Sequence, residues 1–470
     1  MLPRYQKLIK NSTLFAVSNF GSKVMIFLLM PVYTRTLTTS EMGIADAVYA
    51  ACTVILHIVS FTISEATMRF SKMEDVEEEK VLVSSLMVWF VSAVIMVFIS
   101  FALKNFSFFS PYIIFVFLLV ISQDFYMIMS QFARGTEKIR IFSESGIIQT
   151  LFLLVGNIIL LVFLRLGIEG YLIAYIIGFT ISGIYTAIRL KIIYTIKSDY
   201  IDRALIKKMI RYSAPLIFTG LSWWILNASD KYVILHFIGE SANGIYSVAH
   251  KIPTIIVSIN GFFNSAWQLS AIDEQKTSDN EMFYNKVFYS YSAIVYLISS
   301  GIILISRYIM PILITNEYYG AIQYIPILVM SSLFQVFGNF FGGLNIAYRK
   351  TKNLMFSAII AAIVNLGLNV VLTPKFGMYG TAVATCIGCL VMIIIRIIDA
   401  DLNLHIKFQI KRAIKSTALI GLQAFLFWTC SYIGEMLQII VLLLIGGLYK
   451  DFLIGFVKIL VKESQRVFHR

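Results

Sequence analysis

Charged side chains inside long apolar segments are the residues of this chain best suited to do chemistry. An ionised group in the hydrocarbon core of a bilayer costs roughly 3 kcal/mol or more by insertion scales, so it usually faces a cavity or a partner. A lysine there can bind a phosphate-type anion, and a carboxylate can carry a proton or Na⁺. The cations are Lys23, Lys231 and Lys251, and the acids are Asp46, Glu65, Asp124 and Asp230.

The cations are the candidate anion-binding residues. Lys23 lies four residues after Asn19, so the two side chains share one helix face. The alternative for Lys23 is an ion pair with Asp46 that only joins two helices. Lys251 continues a polar stripe along an apolar helix, which favours a position facing a cavity. Lys231 lies next to Asp230 on a different face, and each also fits a position at the outer membrane interface.

The acids are candidates for coupling an ion to movement. Asp46 and His57 are eleven residues apart and lie on one stripe of a helix, where a carboxylate could carry a proton or Na⁺. The alternative for Asp46 is stabilisation of a helix N-terminus. For Glu65, an interfacial salt bridge with Arg69 is the favoured alternative. For Asp124, the alternative is hydrogen bonding between helices.

The elements that hold these residues are transmembrane helices. Of the 470 residues, 58% are hydrophobic and only 14% are charged, whereas soluble proteins average about 25% charged residues. We therefore predict an all-α integral membrane protein. A span needs about 20 apolar residues. Fourteen such stretches lie near 12–33, 44–67, 81–103, 111–133, 144–164, 170–189, 213–235, 242–268, 285–306, 322–346, 354–373, 378–398, 413–431 and 435–456.

The distribution of basic residues predicts the topology. Lys and Arg are concentrated at the N-terminus, in the even-numbered loops and at the C-terminus, as the positive-inside rule requires of cytoplasmic segments. One such loop is taken to hold Arg396, Lys407, Lys411, Arg412 and Lys415. Both termini are thus predicted to be cytoplasmic. The net charge of +13 then indicates topology and contact with anionic membrane lipids, and nucleic acid is not a predicted partner.

An internal repeat predicts the domain organisation. Residues 11–44 align without gaps on 212–245, and 166–170 align on 376–380. Each half holds six spans, so the halves have the same orientation. We predict a six-helix lobe at 1–190, a cytoplasmic linker at 191–212, a second six-helix lobe at 213–400 and two extra helices at 401–470. In transporters built from repeats, the substrate site lies between the halves.

Three stretches carry a family resemblance. They are residues 11–43 with Pro31-Val32-Tyr33-Thr34-Arg35, residues 315–326 with Thr315-Asn316-Glu317-Tyr318-Tyr319, and residues 350–382 with Pro374-Lys375-Phe376-Gly377-Met378-Tyr379-Gly380. On these stretches the chain resembles the multidrug/oligosaccharidyl-lipid/polysaccharide exporter superfamily. Within it, the chain looks like the Wzx-type flippases of lipid-linked polysaccharide repeat units.

The resemblance implies a function and a set of partners. It implies alternating-access export of an undecaprenyl-pyrophosphate-linked oligosaccharide across the bacterial cytoplasmic membrane, driven by an ion gradient or membrane potential. It makes the protein a transporter and not an enzyme, and it implies no cofactor. No phosphate-binding loop of ATPases is present. The resemblance also suggests a polysaccharide polymerase and a chain-length regulator as partners. The prediction includes no metal site.

Three other functions stay open at this point. A multidrug exporter of the same superfamily should have an acidic or apolar cavity and should lack the two extra C-terminal spans. A flippase for peptidoglycan precursors would differ only in its cargo. A membrane-embedded glycan polymerase or ligase usually needs a large external loop, whereas the predicted external loops are short, the longest running from about residue 307 to 321.

Overall fold

The computed structural model describes residues 28–458, apart from 74, 193–199, 275–279, 349, 430 and 457. Every regular element within these residues is a helix, which confirms the predicted all-α class. The helices are α1 (Met30–Thr36), α2 (Thr39–Val59), α3 (Ile63–Phe70), α4 (Glu78–Leu103), α5 (Ile113–Gly135), α6 (Ile139–Asn157), α7 (Gly167–Arg189), α8 (Arg203–Ser213), α9 (Leu216–Phe237), α10 (Glu240–Lys251), α11 (Thr254–Glu274), α12 (Asn280–Leu313), α13 (Ile325–Ala347), α14 (Thr351–Phe376), α15 (Met378–Leu404), α16 (Lys411–Trp428) and α17 (Tyr432–Leu448).

Nine helices in the described part of the chain are long and apolar enough to cross a membrane. A tenth candidate is a pair, α17 with the short helix Lys450–Phe456, bent by 77°. The chain is therefore a multi-pass membrane protein. Fourteen spans remain a prediction. The predicted spans at 213–235, 242–268 and 413–431 are not among the nine helices, and most of the first predicted span lies outside the described residues.

Besides the bent pair, which falls in the span predicted at 435–456, two predicted spans are broken in the structure, and each of these two breaks has a local cause. The span predicted at 44–67 is divided into α2 and α3, because Phe61 and Thr62 adopt left-handed backbone conformations with φ of 51° and 49°. The span predicted at 242–268 ends as α10 and restarts as α11 on either side of Pro253. Proline lacks the amide hydrogen that the helix ladder needs.

The chain forms two compact units. We call the described residues up to Ser247, together with Leu313–Tyr318, the N-unit. We call Val248–Ile312 and the described residues from Tyr319 onward the C-unit. In the N-unit, α3, α4, α5 and α8 pack around a buried apolar cluster that includes Met129 and Met209. The two predicted six-helix lobes and the linker at 191–212 remain a prediction.

The C-unit has an aromatic core and a buried arginine. Trp267 is fully buried and stacks on Phe340, with ring centroids 4.4 Å apart. Arg396 is only 1% exposed and lies inside α15. The prediction that Arg396 is a cytoplasmic loop charge is therefore wrong. Its guanidinium donates to the Gly338 carbonyl at 2.6 Å and to Ser357 Oγ at 2.9 Å, so it ties α15 to α13 and α14.

We predict that Arg396→Ala lowers the free energy of unfolding by about 3 kcal/mol, because it removes two charge-assisted hydrogen bonds and leaves a cavity. Thermal unfolding of the purified protein in detergent measures this. Lys411→Ala, which changes an exposed cation, is the control and should change stability little. Equal unfolding temperatures for the two variants would show that Arg396 does not join the three helices.

Candidate functional site

A buried ion pair joins two of the predicted site residues in the N-unit. Lys231 Nζ on α9 lies 2.7 Å from Asp46 Oδ2 on α2. Asp46 is 8% exposed, and Ser247 Oγ on α10 donates to the same carboxylate oxygen at 2.6 Å. One carboxylate thus connects three helices. The sequence assigned Lys231 to anion binding and Asp46 to ion coupling, and the structure brings the two together.

The position of Asp46 along α2 tests the alternative that this acid stabilises the N-terminus of a helix. Helix α2 begins at Thr39 with a capping box, in which Glu41 N donates to Thr38 Oγ1 and Thr38 N donates to Glu41 Oε2. Asp46 lies two turns further on. The field of a helix terminus falls off within the first turn. Glu41 therefore occupies the position that stabilises the helix start, and Asp46 interacts with side chains of α9 and α10.

The backbones of α2 and α10 are in direct contact beside this pair. A Cβ atom added to Gly43 would lie 2.0 Å from the Glu240 carbonyl oxygen, and one added to Gly244 would lie 1.9 Å from the Thr39 carbonyl oxygen. Only glycine permits this approach at either position. Asn243 Nδ2 donates to the Gly43 carbonyl at 2.7 Å, and this bond is buried.

Two hydroxyl contacts lie at the N-terminal end of both helices in this crossing. Ser40 Oγ donates to Glu240 Oε2 at 2.6 Å, and the hydroxyls of Thr39 and Ser241 touch each other. We call the contact from Thr39 to Asp46 on α2 with Glu240 to Ser247 on α10 the α2–α10 crossing.

The crossing is formed by equivalent positions of the internal repeat. The alignment of 11–44 on 212–245 pairs Gly43 with Gly244, and the same register continued pairs Asp46 with Ser247. The two copies of the repeat therefore meet at matching residues. Asn243 and Ser247 were not among the predicted site residues, although extending the alignment by two positions would have indicated Ser247.

Aromatic side chains pack together near Asp46. Tyr33, Tyr171 and Tyr175 form a chain of ring contacts with centroids 5.2 and 5.1 Å apart, and Tyr49 of α2 lies 4.4 Å from Tyr175. Tyr232 Oη donates to the Ala47 carbonyl at 2.7 Å, one residue after Asp46. Large aromatic side chains thus contact α2 close to the ion pair.

Asp230 is the neighbour of Lys231 but has a different environment. Its side chain is 1% exposed, and Tyr246 Oη donates to its Oδ2 at 3.1 Å. This bond links α9 directly to α10. The structure therefore places Asp230 in the interior of the N-unit, whereas the sequence also allowed the outer interface.

The other predicted acids are separate from the pair. Asp124 lies within α5 and is 2% exposed, and its Oδ2 has no hydrogen-bond partner among the described residues. Glu65 lies on α3, and in that part of the structure no ion pair joins it to Arg69. The Arg69 guanidinium instead lies 4.5 Å from the centre of the Tyr212 ring. The alternative of a Glu65–Arg69 salt bridge is therefore wrong.

Of the two remaining predicted cations, the structure describes Lys251 and not Lys23. Lys23 and Asn19 lie outside the described residues. Lys251 is the last residue of α10 and is partly exposed. Because α10 ends there, the predicted polar stripe from Ser247 through Lys251 to Thr254 does not continue along one helix.

Comparison with known proteins defines the family. Residues 8–272 match the family described as polysaccharide biosynthesis protein. This match covers more than half of the chain, so the protein belongs to that family. A comparison with curated proteins finds no match.

Solved structures with a similar fold are transporters. A lipid II flippase, MurJ, in an inward closed conformation has a TM-score of 0.65 at 16% identity, over 96% of this chain and all of that one. The multidrug transporter DinF-BH, a MATE protein, gives 0.63 at 14% identity, over 85% of this chain and 95% of that one.

A third structure, an inward-facing MATE family transporter of the MOP superfamily, gives 0.62 at 13% identity, over 80% of this chain and 93% of that one. These three structures are a lipid II flippase and multidrug transporters, and the chain shares their fold.

We predict that Gly43→Ala destabilises the protein by about 1–3 kcal/mol, because the added methyl overlaps the Glu240 carbonyl and α2 must move away from α10. The comparison is Gly421→Ala, where a Cβ meets nothing within 4 Å. That control should unfold at or above the native temperature, since alanine favours helix. Thermal unfolding measures both variants. A Gly43→Ala protein as stable as the control would contradict the close crossing.

Proposed function

We propose that this protein exports undecaprenyl-pyrophosphate-linked oligosaccharide repeat units from the inner to the outer leaflet of the bacterial cytoplasmic membrane. The products would supply O-antigen, capsule or exopolysaccharide synthesis. The observation that carries the proposal is a largely buried ion pair, Lys231 with Asp46, inside a membrane-spanning member of a polysaccharide biosynthesis family. The fold shared with a lipid II flippase supports the same class of cargo.

Lys231 is the proposed binding residue for the pyrophosphate. Breaking a buried ion pair by removing one partner costs about 3–5 kcal/mol, since the other charge is left uncompensated. A phosphate oxygen that approaches Lys231 replaces the carboxylate and avoids this penalty. Arriving cargo can therefore separate Lys231 from Asp46, whereas an uncharged molecule of the same size cannot.

Asp46 is the proposed coupling residue. Once Lys231 binds the cargo, the Asp46 carboxylate is left in an environment of tyrosines and of few polar groups. It then has to bind a proton or Na⁺, because an isolated carboxylate is strongly disfavoured there. Release of the cargo reverses both steps. Cargo binding at Lys231 and cation binding at Asp46 are thus linked through a single pair of side chains.

The α2–α10 crossing is the proposed outer gate. Its hydroxyl and amide contacts lie at the N-terminal ends of both helices, on the side that the charge distribution predicts to be external. Asn243 and Ser247 bridge the helices directly. Opening the gate would separate Ser247 from Asp46, so the gate and the ion pair would respond to the same event.

The other predicted residues extend this scheme. Lys23, Asn19 and Lys251 are proposed to bind the headgroup as it moves between two six-helix lobes, 1–190 and 213–400. Asp124, Asp230 and Glu65 are proposed as further sites for the coupling ion. Both termini would be cytoplasmic, and a polymerase and a chain-length regulator would act on the exported product.

A second candidate is a flippase for peptidoglycan precursors, which the similarity to MurJ favours. Both cargoes are lipid pyrophosphates, so the same ion-pair exchange would serve either. Multidrug export is less consistent with Lys231, because cationic drugs would be repelled by that charge. The two flippases can be distinguished by an experiment in which the chromosomal gene is replaced. Surface polysaccharide and peptidoglycan precursors are then measured separately.

We predict that the double variant Asp46→Asn/Lys231→Met reaches the membrane at native levels but exports at least about 10-fold less glycan. Removing both charges avoids a lone buried charge, whereas cargo binding and coupling are both lost. Each single variant should be less stable than the double variant. Surface glycan per unit of membrane protein measures export, and thermal unfolding measures stability.

The control for this experiment is Glu77→Gln/Lys80→Met, which neutralises a surface ion pair of the same 2.7 Å length. It should leave both export and stability unchanged. Native export by Asp46→Asn/Lys231→Met would mean that the pair only holds helices together, and it would overturn the proposed mechanism.

A further inference from the structure

A cavity of about 1160 Å³ lies in the C-unit. The start of α12, residues 408–410, the start of α16 and Tyr449 form its walls. Helix α12 is a candidate span. At Tyr449 the chain turns by 77° from α17 into the short helix Lys450–Phe456, which fits a span that leaves the membrane and continues along its surface. Lys407, Lys411, Arg412 and Lys415 are concentrated in the same part of the chain, as in segments that border the cytoplasmic face. Both features favour a position of the cavity at the depth of the lipid headgroups.

The cavity is held open by hydrogen bonds that do not involve its cations. Asn285 Nδ2 on α12 donates to the Lys407 carbonyl at 2.9 Å, and Gln409 N donates to Asn285 Oδ1 at 2.8 Å. One side chain thus fixes the 405–410 segment to α12 from both sides. The site is formed before any ligand arrives, which lowers the ordering cost of binding.

The charge of the cavity is positive. Lys286, Lys411 and Arg412 line it, and Glu281 is the acid among the lining residues. Within the described residues no ion pair neutralises Lys411 or Arg412. The Arg412 guanidinium lies 5.0 Å from the centre of the Tyr289 ring. A cation–π contact of this kind orients the guanidinium but leaves its N–H donors available.

An unsatisfied hydroxyl lies in the wall of the cavity. Tyr289 lines the cavity, and its ring is fixed against Tyr449, 5.3 Å away. Tyr289 Oη is buried and has no hydrogen-bond partner in the described part of the chain. A buried polar atom of this kind calls for an explanation, and a bound water or ion is one. The cations of the cavity match the needs of a lipid phosphate.

We propose that this cavity binds the phosphate group of an acidic phospholipid, whose acyl chains remain in the bilayer beside α12 and α17. Arginine binds phosphate oxygens through two parallel N–H donors, and the lysines add point charges. Basic pockets between transmembrane helices bind acidic headgroups in this way. The proposal is independent of the exported cargo, and it stands whether or not the ion pair moves a glycan.

The test is lipid-dependent stability of the purified full chain in nanodiscs. We expect dioleoyl-phosphatidylglycerol to raise the unfolding temperature relative to dioleoyl-phosphatidylcholine. Lys411→Gln/Arg412→Gln should lose most of this rise and bind phosphatidylglycerol at least about 10-fold more weakly. The matched control is Lys415→Gln/Lys450→Gln, which removes two exposed cations that do not line the cavity. It should keep the native response.

Three outcomes would overturn the proposal. In the first, Lys411→Gln/Arg412→Gln responds to phosphatidylglycerol as the native protein does. In the second, the control loses the response equally, which means that overall surface charge is responsible. In the third, inorganic phosphate in phosphatidylcholine discs stabilises the native protein as much, which means that the site binds a free anion. Equal unfolding temperatures of all three proteins in phosphatidylcholine confirm that the variants fold.

Discussion

Two opposite charges held 2.7 Å apart in a largely apolar interior, Asp46 and Lys231, are the interaction on which the rest of the candidate site depends. Neither charge is stable alone at that depth, so each fixes the position of the other. Helices α2 and α9 are joined through them, and Ser247 adds α10. Any ligand that enters has to provide a replacement charge. This requirement selects an anion for Lys231 and a proton or cation for Asp46. Export of a lipid pyrophosphate is therefore a physically consistent function for this family member.

The repeat provides the second constraint. Gly43 and Gly244 occupy equivalent positions, and each lies where a side chain would collide with the backbone of the opposite helix. The contact joins two copies of one motif, so each helix offers a glycine where the backbone of the other helix approaches. It also contains several short polar contacts, which suits a contact that has to open. Because Ser247 of the crossing binds Asp46, opening of the crossing would change the contacts of the neighbouring ion pair.

The sequence predicted the class of fold well, because charge depletion and apolar runs depend on the bilayer and not on detailed packing. It also identified Asp46, Asp230 and Lys231 as intramembrane charges. It could not predict the pairing of Asp46 with Lys231, since the two residues are far apart in the chain and meet only through the packing of α2 on α9. Arg396 was misinterpreted because a basic residue near a span end has the same sequence signal whether it faces water or a buried carbonyl.

The most direct measurement is a cross-link across the α2–α10 crossing during export. Thr39→Cys/Ser241→Cys places two thiols where the hydroxyls now touch, and the single variants are controls for the native cysteines. The account predicts that oxidation forms the disulfide and stops the appearance of glycan at the cell surface. A reductant should restore export. Single-cysteine variants should export throughout. Undiminished export by the fully cross-linked protein would contradict the account, because the crossing would then not need to open.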